Sequence, residues 1–309
     1  MAEKMKMQPP LTSAGARRRS QLNGVPYWLF VLPLVSGTLL FNVLPMLPTL
    51  YLSFTNWDGG FQSLDFVGLA NYADMLHDPY FLSSVQRTLV FTVGTIAIAM
   101  VLGLGLALLV RRGFPSDNGF RAIYFLPVIT SEVAVGLVWR WILDYQFGPL
   151  NVALASIGIT AGPRWLVDPN IALLSVIIVA AWHYMGYDML LFLAGLQHIS
   201  PDVQEAAKID GADAVQRLFR ITLPLLSPTT FFVLIINMIF VFQIFGLVFI
   251  MTDGGPGSST EIYMFHLYRQ AFTFFRMGYA SAIAWVLFLI LAGASALQFA
   301  LSKRWVFYE

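Results

Sequence analysis

Long apolar runs separated by short polar loops dominate the hydrophobic pattern of this chain. About 20 apolar residues cross the roughly 30 Å hydrocarbon core of a bilayer as one helix. Six stretches reach that length, at about 26–51, 85–110, 121–144, 170–196, 225–251 and 279–302. The pattern predicts an all-α polytopic membrane protein with six transmembrane helices, built as one membrane domain over residues 25–305 after a flexible arm at 1–24.

Composition agrees with this prediction and narrows the possible chemistry. Of the 309 residues, 58% are hydrophobic and 11% are charged, and the mean hydropathy is +0.71. Soluble domains carry about 25% charged residues. The chain has no cysteine, which excludes disulfides and thiolate metal sites, and its net charge of +1 is spread over many loops, so no nucleic-acid partner is expected.

The basic residues set the predicted orientation. Thirteen of the eighteen Lys and Arg residues fall on the side of the membrane that holds both termini. By the positive-inside rule both termini are cytoplasmic. The arm at 1–24 is expected to lie near anionic lipid through Arg17–Arg19 or merely to set this topology.

The loops on the outer side are acidic or rich in turn residues. The first, about 52–84, contains Trp57 and four aspartates but no Lys or Arg, which is typical of an interfacial aromatic belt or of a docking surface. The third, Thr252–Thr260, is too rich in Gly and Pro to be helical. The aromatic stretch after it, Tyr263 to Phe275, is expected to lie along the outer interface.

One segment between hydrophobic spans, residues 201–224, is amphipathic and charged. Ser200 is a predicted N-cap, Pro201 fits the first helical position, and Asp210-Gly211 forms a predicted turn before a second helical piece. Six charges lie within sixteen residues here. The sequence therefore predicts a short cytoplasmic helix-turn-helix, which either meets a polar partner or rests on lipid headgroups.

This segment carries a recognisable motif. Glu205-Ala206-Ala207, Asp210-Gly211-Ala212, Phe219, Ile221, Leu223-Pro224 and Pro228 resemble the EAA signature of the membrane subunits of binding-protein-dependent ABC importers. The resemblance implies a type I importer fold. It also implies that the segment is a coupling helix held in a cleft of an ATP-hydrolysing subunit.

The same resemblance assigns roles within the coupling segment. Glu205 would pair with a basic group of the ATPase, and Ala206 and Ala207 would allow its surface to approach closely. Gly211 would form the tight turn, and Pro224 would fix the angle at which the fifth span leaves the membrane surface. The full set of coupling residues implied is Glu205, Ala206, Ala207, Asp210, Gly211, Ala212 and Pro224.

Further motifs are similar to the maltose-type carbohydrate permeases: Leu126-Pro127, Trp165–Pro169 and Met251–Pro256. The resemblance implies import of a sugar, oligosaccharide or glycerol-phosphate-like polyol across a bacterial or archaeal cytoplasmic (inner) membrane. The implied partners are a second homologous permease, which would form a heterodimer with this chain, two ATP-binding subunits and an extracytoplasmic solute-binding protein. No Walker sequence occurs in the chain, so ATP and Mg²⁺ are expected on a partner subunit and this chain is expected to hold no cofactor.

Polar residues inside spans are costly and are therefore candidates for the transport path. The resemblance places sugar contacts on the fourth and fifth spans, since aromatic faces stack on sugar rings and amides or carboxylates bond to hydroxyls. A neighbouring helix satisfying each polar group is the alternative. The implied path residues are Tyr184, Tyr187, Asp188, Asn237 and Gln243.

Two other functions remain open at this point. A proton-coupled secondary transporter working alone would use Glu132, which the pattern presents as the most buried acid, together with Asp188. A structural role for Glu132 is the other interpretation. A membrane enzyme has no nucleophile-base pair or carboxylate dyad to support it, so no catalytic residue is predicted. His77, His198 and His266 lack partners at ligand spacing, so no metal site is expected.

Overall fold

The computed structural model describes residues 28–60, 64–111 and 117–307. The predicted arm at 1–24 lies outside these residues. Within the described part there is no β-strand, only an isolated bridge between Thr55 and Phe66. The prediction of an all-α protein is confirmed.

The first helix, α1, spans Trp28–Leu52 and belongs to a separate unit of the chain. Proline lacks the N–H that a helix interior uses. A π-helical turn at Leu39–Val43 lies between Pro33 and Pro48. None of its side chains is buried.

The remaining helices of the described chain form the second unit, which runs from Leu52. Some of these helices are short and lie in loops, and others are long enough to cross much of a bilayer. In order they are α2 Ala70–His77, α3 Pro79–Val110, α4 Asp117–Ile129, α5 Glu132–Ile142, α6 Pro149–Ser156, α7 Ala172–His198, α8 Pro201–Ile209, α9 Ala214–Leu225, α10 Ser227–Phe242, α11 Gly246–Thr252, α12 Tyr263–Tyr268 and α13 Met277–Ser302.

Among all the described helices, α1 included, the candidates for membrane spans are of two kinds. Four helices, α1, α3, α7 and α13, are each long and apolar enough to cross alone. Two bent pairs complete the set if each counts as one span: α4 with α5, which meet at 107°, and α9 with α10, which meet at 66°. The predicted count of six is reached when both pairs are included.

The prediction that 121–144 and 225–251 are continuous helices was wrong. The first stretch breaks at Thr130–Ser131, where the Thr130 hydroxyl and N–H bond back to Leu126 and Pro127 and Ser131 adopts an extended ψ of 135°. The second stretch breaks between Phe242 and Gly246. Hydropathy depends on composition alone and does not change where the chain turns inside an apolar run. The two breaks could therefore not be predicted from it.

The central helix is α7. In its most apolar window 67% of residues are buried, against 33% for α3 and 22% for α13. Small residues bring its neighbours close, as is typical of membrane helix packing. A Cβ at Gly103 of α3 would lie 2.6 Å from the Asp188 Cβ, and one at Gly186 would meet the backbone of Tyr124 on α4.

Candidate coupling segment and transport path

The first half of the coupling segment is a capped helix followed by a tight turn. The Ser200 hydroxyl accepts a hydrogen bond from the Asp202 N–H at 3.2 Å, and α8 then runs to Ile209. Gly211 has φ +81°, a left-handed conformation that glycine adopts without a Cβ penalty. Its N–H donates to Lys208, and the Ala212 N–H donates to Ala207. The predicted helix start and turn are both present.

The second half begins with a cap that the sequence reasoning missed. The Asp213 carboxylate accepts from the Gln216 N–H at 2.7 Å, and the Gln216 side chain accepts from the Asp213 N–H at 3.1 Å. This capping box was readable as Asp-x-x-Gln. Gln204 donates to the Thr222 hydroxyl at 3.2 Å, which ties α8 to α9. These bonds cap the second helix and join the two halves of the segment.

The surface of this segment is polar and apolar at once. Glu205, Ala206 and Asp210 are exposed, whereas Ala207 is buried and Ala212 and Pro224 are half-buried. Ile209 is 87% exposed. We call the three exposed side chains Ile209, Val215 and Phe219 the apolar docking patch. Such a grouping next to charges is typical of a protein contact surface.

Two of the predicted path residues bond to each other. Asp188 on α7 is 0% exposed and Asn237 on α10 is 1% exposed. The Asn237 Nδ2 lies 2.9 Å from both carboxyl oxygens of Asp188. In this structure the pair joins two helices instead of facing an open space, which matches the alternative in which a neighbouring helix satisfies each group.

The other three path residues lie elsewhere. The Tyr184 hydroxyl donates to Glu132 Oε1 at 3.2 Å. Tyr187 is half-buried, with its ring centroid 6.5 Å from that of Phe240. Gln243 is exposed in the break between α10 and α11. The structure therefore does not gather the five residues around one cavity.

Glu132 lies where the two helix breaks meet. It opens α5, and a Cβ at Gly246, the first residue of α11, would lie 3.0 Å from its Oε2. Glu132 is only half-buried, whereas Asp188 is fully buried and Glu261 is 3% exposed. The expectation that Glu132 is the most buried acid was wrong, because the helix break opens its surroundings.

A third group of polar side chains lies at the outer ends of the helices. We call Glu261, His266 and Arg269 the outer polar cluster. His266 Nδ1 donates to Glu261 Oε1 at 2.8 Å, and Arg269 Nη1 donates to Glu261 Oε2 at 2.8 Å. Burial favours the neutral acid, but the hydrogen bond from His266 and the charge of Arg269 outweigh it and hold the pKa of Glu261 below its usual range.

Sequence reasoning missed this cluster. Glu261 precedes the first residue of α12, so its spacing to His266 does not follow a helical period. No partner for His266 is evident from the sequence when only the spacing of metal ligands along the chain is considered. Across the described ranges, no three His, Asp or Glu side chains are placed to share a metal ion.

Comparison with known proteins gives the family. The family described as "Binding-protein-dependent transport system inner membrane component" matches residues 99–306. The probable ABC transporter permease protein YesP of Bacillus subtilis is 36% identical over 296 residues, with 94% of both chains covered. The sn-glycerol-3-phosphate transport system permease protein UgpA of Agrobacterium fabrum is 35% identical, with 92% of this chain and 96% of UgpA covered.

Solved structures give the fold. A chain of a bacterial alginate ABC transporter, in complex with an alginate pentasaccharide-bound periplasmic protein, aligns with a TM-score of 0.79 at 21% identity. The alignment covers 94% of this chain and 96% of that one. The predicted ABC importer permease fold is confirmed. The chain belongs to the binding-protein-dependent transport system inner membrane components and is a membrane-embedded ABC transporter permease.

Proposed function

We propose that this chain forms half of the translocation path for a carbohydrate in an ATP-driven importer, delivered by an extracytoplasmic binding protein. The observation that carries the proposal is the coupling segment, which is capped and cross-linked by its own hydrogen bonds, is cytoplasmic by charge, and exposes Glu205 one helical turn from Ile209 of the apolar docking patch. Two ATP-binding subunits would supply ATP and Mg²⁺. A second homologous permease would complete the path in a bacterial or archaeal inner membrane.

The names of several relatives support a carbohydrate or polyol as cargo. They include the UgpA proteins, the probable starch degradation products permease AmyD of Thermoanaerobacterium thermosulfurigenes at 33% identity, and the multiple sugar-binding transport permease MsmF of Streptococcus mutans at 34% identity. The cargoes in these names include sugars and sn-glycerol-3-phosphate, which is an anion, so the names leave the charge of this chain's cargo open.

The geometry gives a route by which a push on the coupling segment reaches the membrane. α9 leads directly into α10 through a 66° bend just after Pro224. α10 bonds to the central helix α7 through Asn237 and Asp188. A displacement of α9 would therefore move α10 and α7 together, which is the rigid-body rocking expected of transporters that alternate access.

The competing proton-coupled transporter gains no support from the two acids it requires. Glu132 bonds to Tyr184, and Asp188 bonds to Asn237. The acids therefore belong to separate pairs, and no described hydrogen bond connects them as a relay.

Reconstitution with and without the ATPase subunits tests the proposal. In proteoliposomes that contain the assembled transporter, ATP and the binding protein, Glu205→Gln should abolish sugar uptake while membrane insertion and binding-protein docking persist. Asp202→Asn is the matched control, since it removes the same charge from the same exposed helix and should transport normally. Unchanged uptake by Glu205→Gln, or uptake by this chain without an ATPase, would refute the proposed function.

A further inference from the structure

A cavity of about 370 Å³ opens beside the outer polar cluster. It lies at the first turn of α3, whose other end leads to the basic cytoplasmic residues after Val110, so it is on the outer side. Its volume falls in the range of small-molecule sites, roughly 300–1,000 Å³. It is lined chiefly by Tyr80, Glu261, His266, Arg269, Gln270 and Phe274.

One buried amide in this lining has an unmade hydrogen bond. Gln270 is 6% exposed, and its Nε2 lies 3.4 Å from His266 Nε2. In this orientation the Gln270 Nε2 faces His266 Nε2, which also lies 3.9 Å from Asp78 Oδ2. Gln270 Oε1 then bonds to no other described group. Turning the amide round would leave its nitrogen unpaired instead, so either way one end lacks a partner, at a cost that a ligand group would remove.

The charges of the lining nearly cancel. Glu261 and Arg269 form an ion pair at 2.8 Å, and the Arg269 side chain is 36% exposed and lines the cavity. An incoming anion would have to bind that guanidinium next to the Glu261 carboxylate. A neutral ligand with hydroxyl groups pays no such penalty and offers both donors and acceptors.

Aromatic surfaces frame the same space. Phe274 is half exposed with the Arg269 guanidinium 5.3 Å from its ring centroid, and the Tyr80 ring is also exposed. Aromatic rings pack on the C–H faces of sugar rings while the polar side chains bond to hydroxyls. The lining thus combines apolar faces, a carboxylate, a guanidinium and an amide within one small cavity.

We propose that this cavity is an outer carbohydrate site, which binds an uncharged sugar or polyol before it enters the membrane. The identification of the ligand as cargo rests on the proposed importer function, and it narrows that cargo to neutral sugars. The site is separate from the five path residues named on the fourth and fifth spans. Gln270 and Phe274 are the side chains that would contact the ligand without taking part in the Glu261 ion pair.

Ligand binding to the assembled transporter in lipid nanodiscs, without ATP, tests the site. Saturation-transfer NMR is recorded with four probes, glycerol, glucose, maltose and sn-glycerol-3-phosphate. At least one neutral probe should bind, and Gln270→Leu should weaken it about tenfold, the effect of losing one hydrogen bond. Phe274→Ala should weaken it as well, and Phe274→Trp should restore it.

A matched control is available on α13. Gln298 also has a buried Oε1 without a partner, but it lies about 30 Å along the helix from the outer end, at 1.5 Å per residue. Gln298→Leu should leave binding unchanged. Equal binding in Gln270→Leu and wild type, tighter binding of sn-glycerol-3-phosphate than of every neutral probe, or no binding of any neutral probe would overturn the inference.

The result is separable from the coupling proposal. Glu205→Gln should retain probe binding at the outer site while losing ATP-driven uptake. If no neutral probe binds while uptake still depends on ATP, this inference alone is refuted. If the probes bind as expected while uptake does not depend on ATP, the importer function alone is refuted.

Discussion

Replacing Gly211 tests whether the shape of the coupling turn drives transport. Gly211 has φ +81°, and a Cβ built on it would have nothing within 4 Å. An alanine methyl therefore meets no steric obstacle, and its cost is the left-handed backbone, about 1–2 kcal/mol for an L-residue. That energy corresponds to a roughly 5- to 30-fold fall in the ratio of native to non-native turn conformations.

The size of the loss should follow backbone preference and not side-chain volume. Asn adopts left-handed conformations more readily than Ala, and β-branched Val does so least. We therefore expect sugar uptake per ATP hydrolysed to fall in the order Gly, Asn, Ala, Val in proteoliposomes. Gly211→Pro should abolish uptake, because proline cannot adopt a positive φ.

A second glycine separates coupling from general stability. Gly158, at the end of α6 on the outer side, has φ +94° and also has empty space around its Cβ position. Gly158→Ala should lower thermal stability by a comparable amount and leave uptake per ATP unchanged. If Gly211→Ala couples as well as Gly211→Asn, or if Gly158→Ala uncouples equally, the shape of the turn is not what transmits the motion.

Three further predictions follow from buried or strained groups. Asn237→Leu removes the amide donor to the buried Asp188 carboxyl and should destabilise the protein by about 1–3 kcal/mol, seen as a lower unfolding temperature in detergent; an unchanged temperature would show that the pair contributes little. Phe275 adopts φ +55°, which favours glycine, and its ring is exposed, so Phe275→Gly should raise the unfolding temperature. Phe147→Gly also removes an exposed ring, but Phe147 has no positive φ, so this variant should not raise the unfolding temperature. The pKa of Glu261 is lowered in the folded protein, so the carboxylate's stabilising contribution is complete above its ordinary pKa of 4.5 and is lost as the pH falls through the lower folded value. The unfolding temperature of the wild type should therefore drop below pH 5. Glu261→Gln should remove the part of that drop that this carboxyl causes.

Local signals in the sequence gave the coupling segment because its structure depends on local chemistry. A serine cap, a proline in the first turn and a glycine at a positive φ act on residues within a few positions of themselves. Ser200, Pro201 and Gly211 therefore fixed α8 and its turn before any tertiary contact was known. The capping box at Asp213 was of the same local kind and was overlooked.

Pairing across spans could not be predicted in the same way. Asp188 and Asn237 are 49 residues apart, and their contact depends on how α7 and α10 are rotated and how deeply each lies. Periodicity marks a polar residue in a span as costly without naming its partner. The same limit hid the bond between Tyr184 and Glu132, which also requires the break at Thr130–Ser131 to turn α5 toward α7.

Asp188 acquires a mechanical meaning from its neighbours. Three helices meet at this side chain: α3 comes close because Gly103 has no Cβ, α7 carries the carboxyl, and α10 supplies the Asn237 amide. α10 is joined through α9 to the coupling turn. From Gly103, α3 runs back over 24 residues, about 36 Å at 1.5 Å per residue, to its first turn, where the Phe81 ring centroid lies 6.2 Å from that of His266 in the outer polar cluster. A bonded, closely packed junction of this kind moves as one body, since packed interiors shift between discrete arrangements instead of deforming smoothly. The bond between Asp188 and Asn237 therefore accounts for a buried polar pair in a membrane span without contact with a cargo. Under the proposed importer function, we expect a displacement that begins at Gly211 to reach the outer end of α3 through this junction.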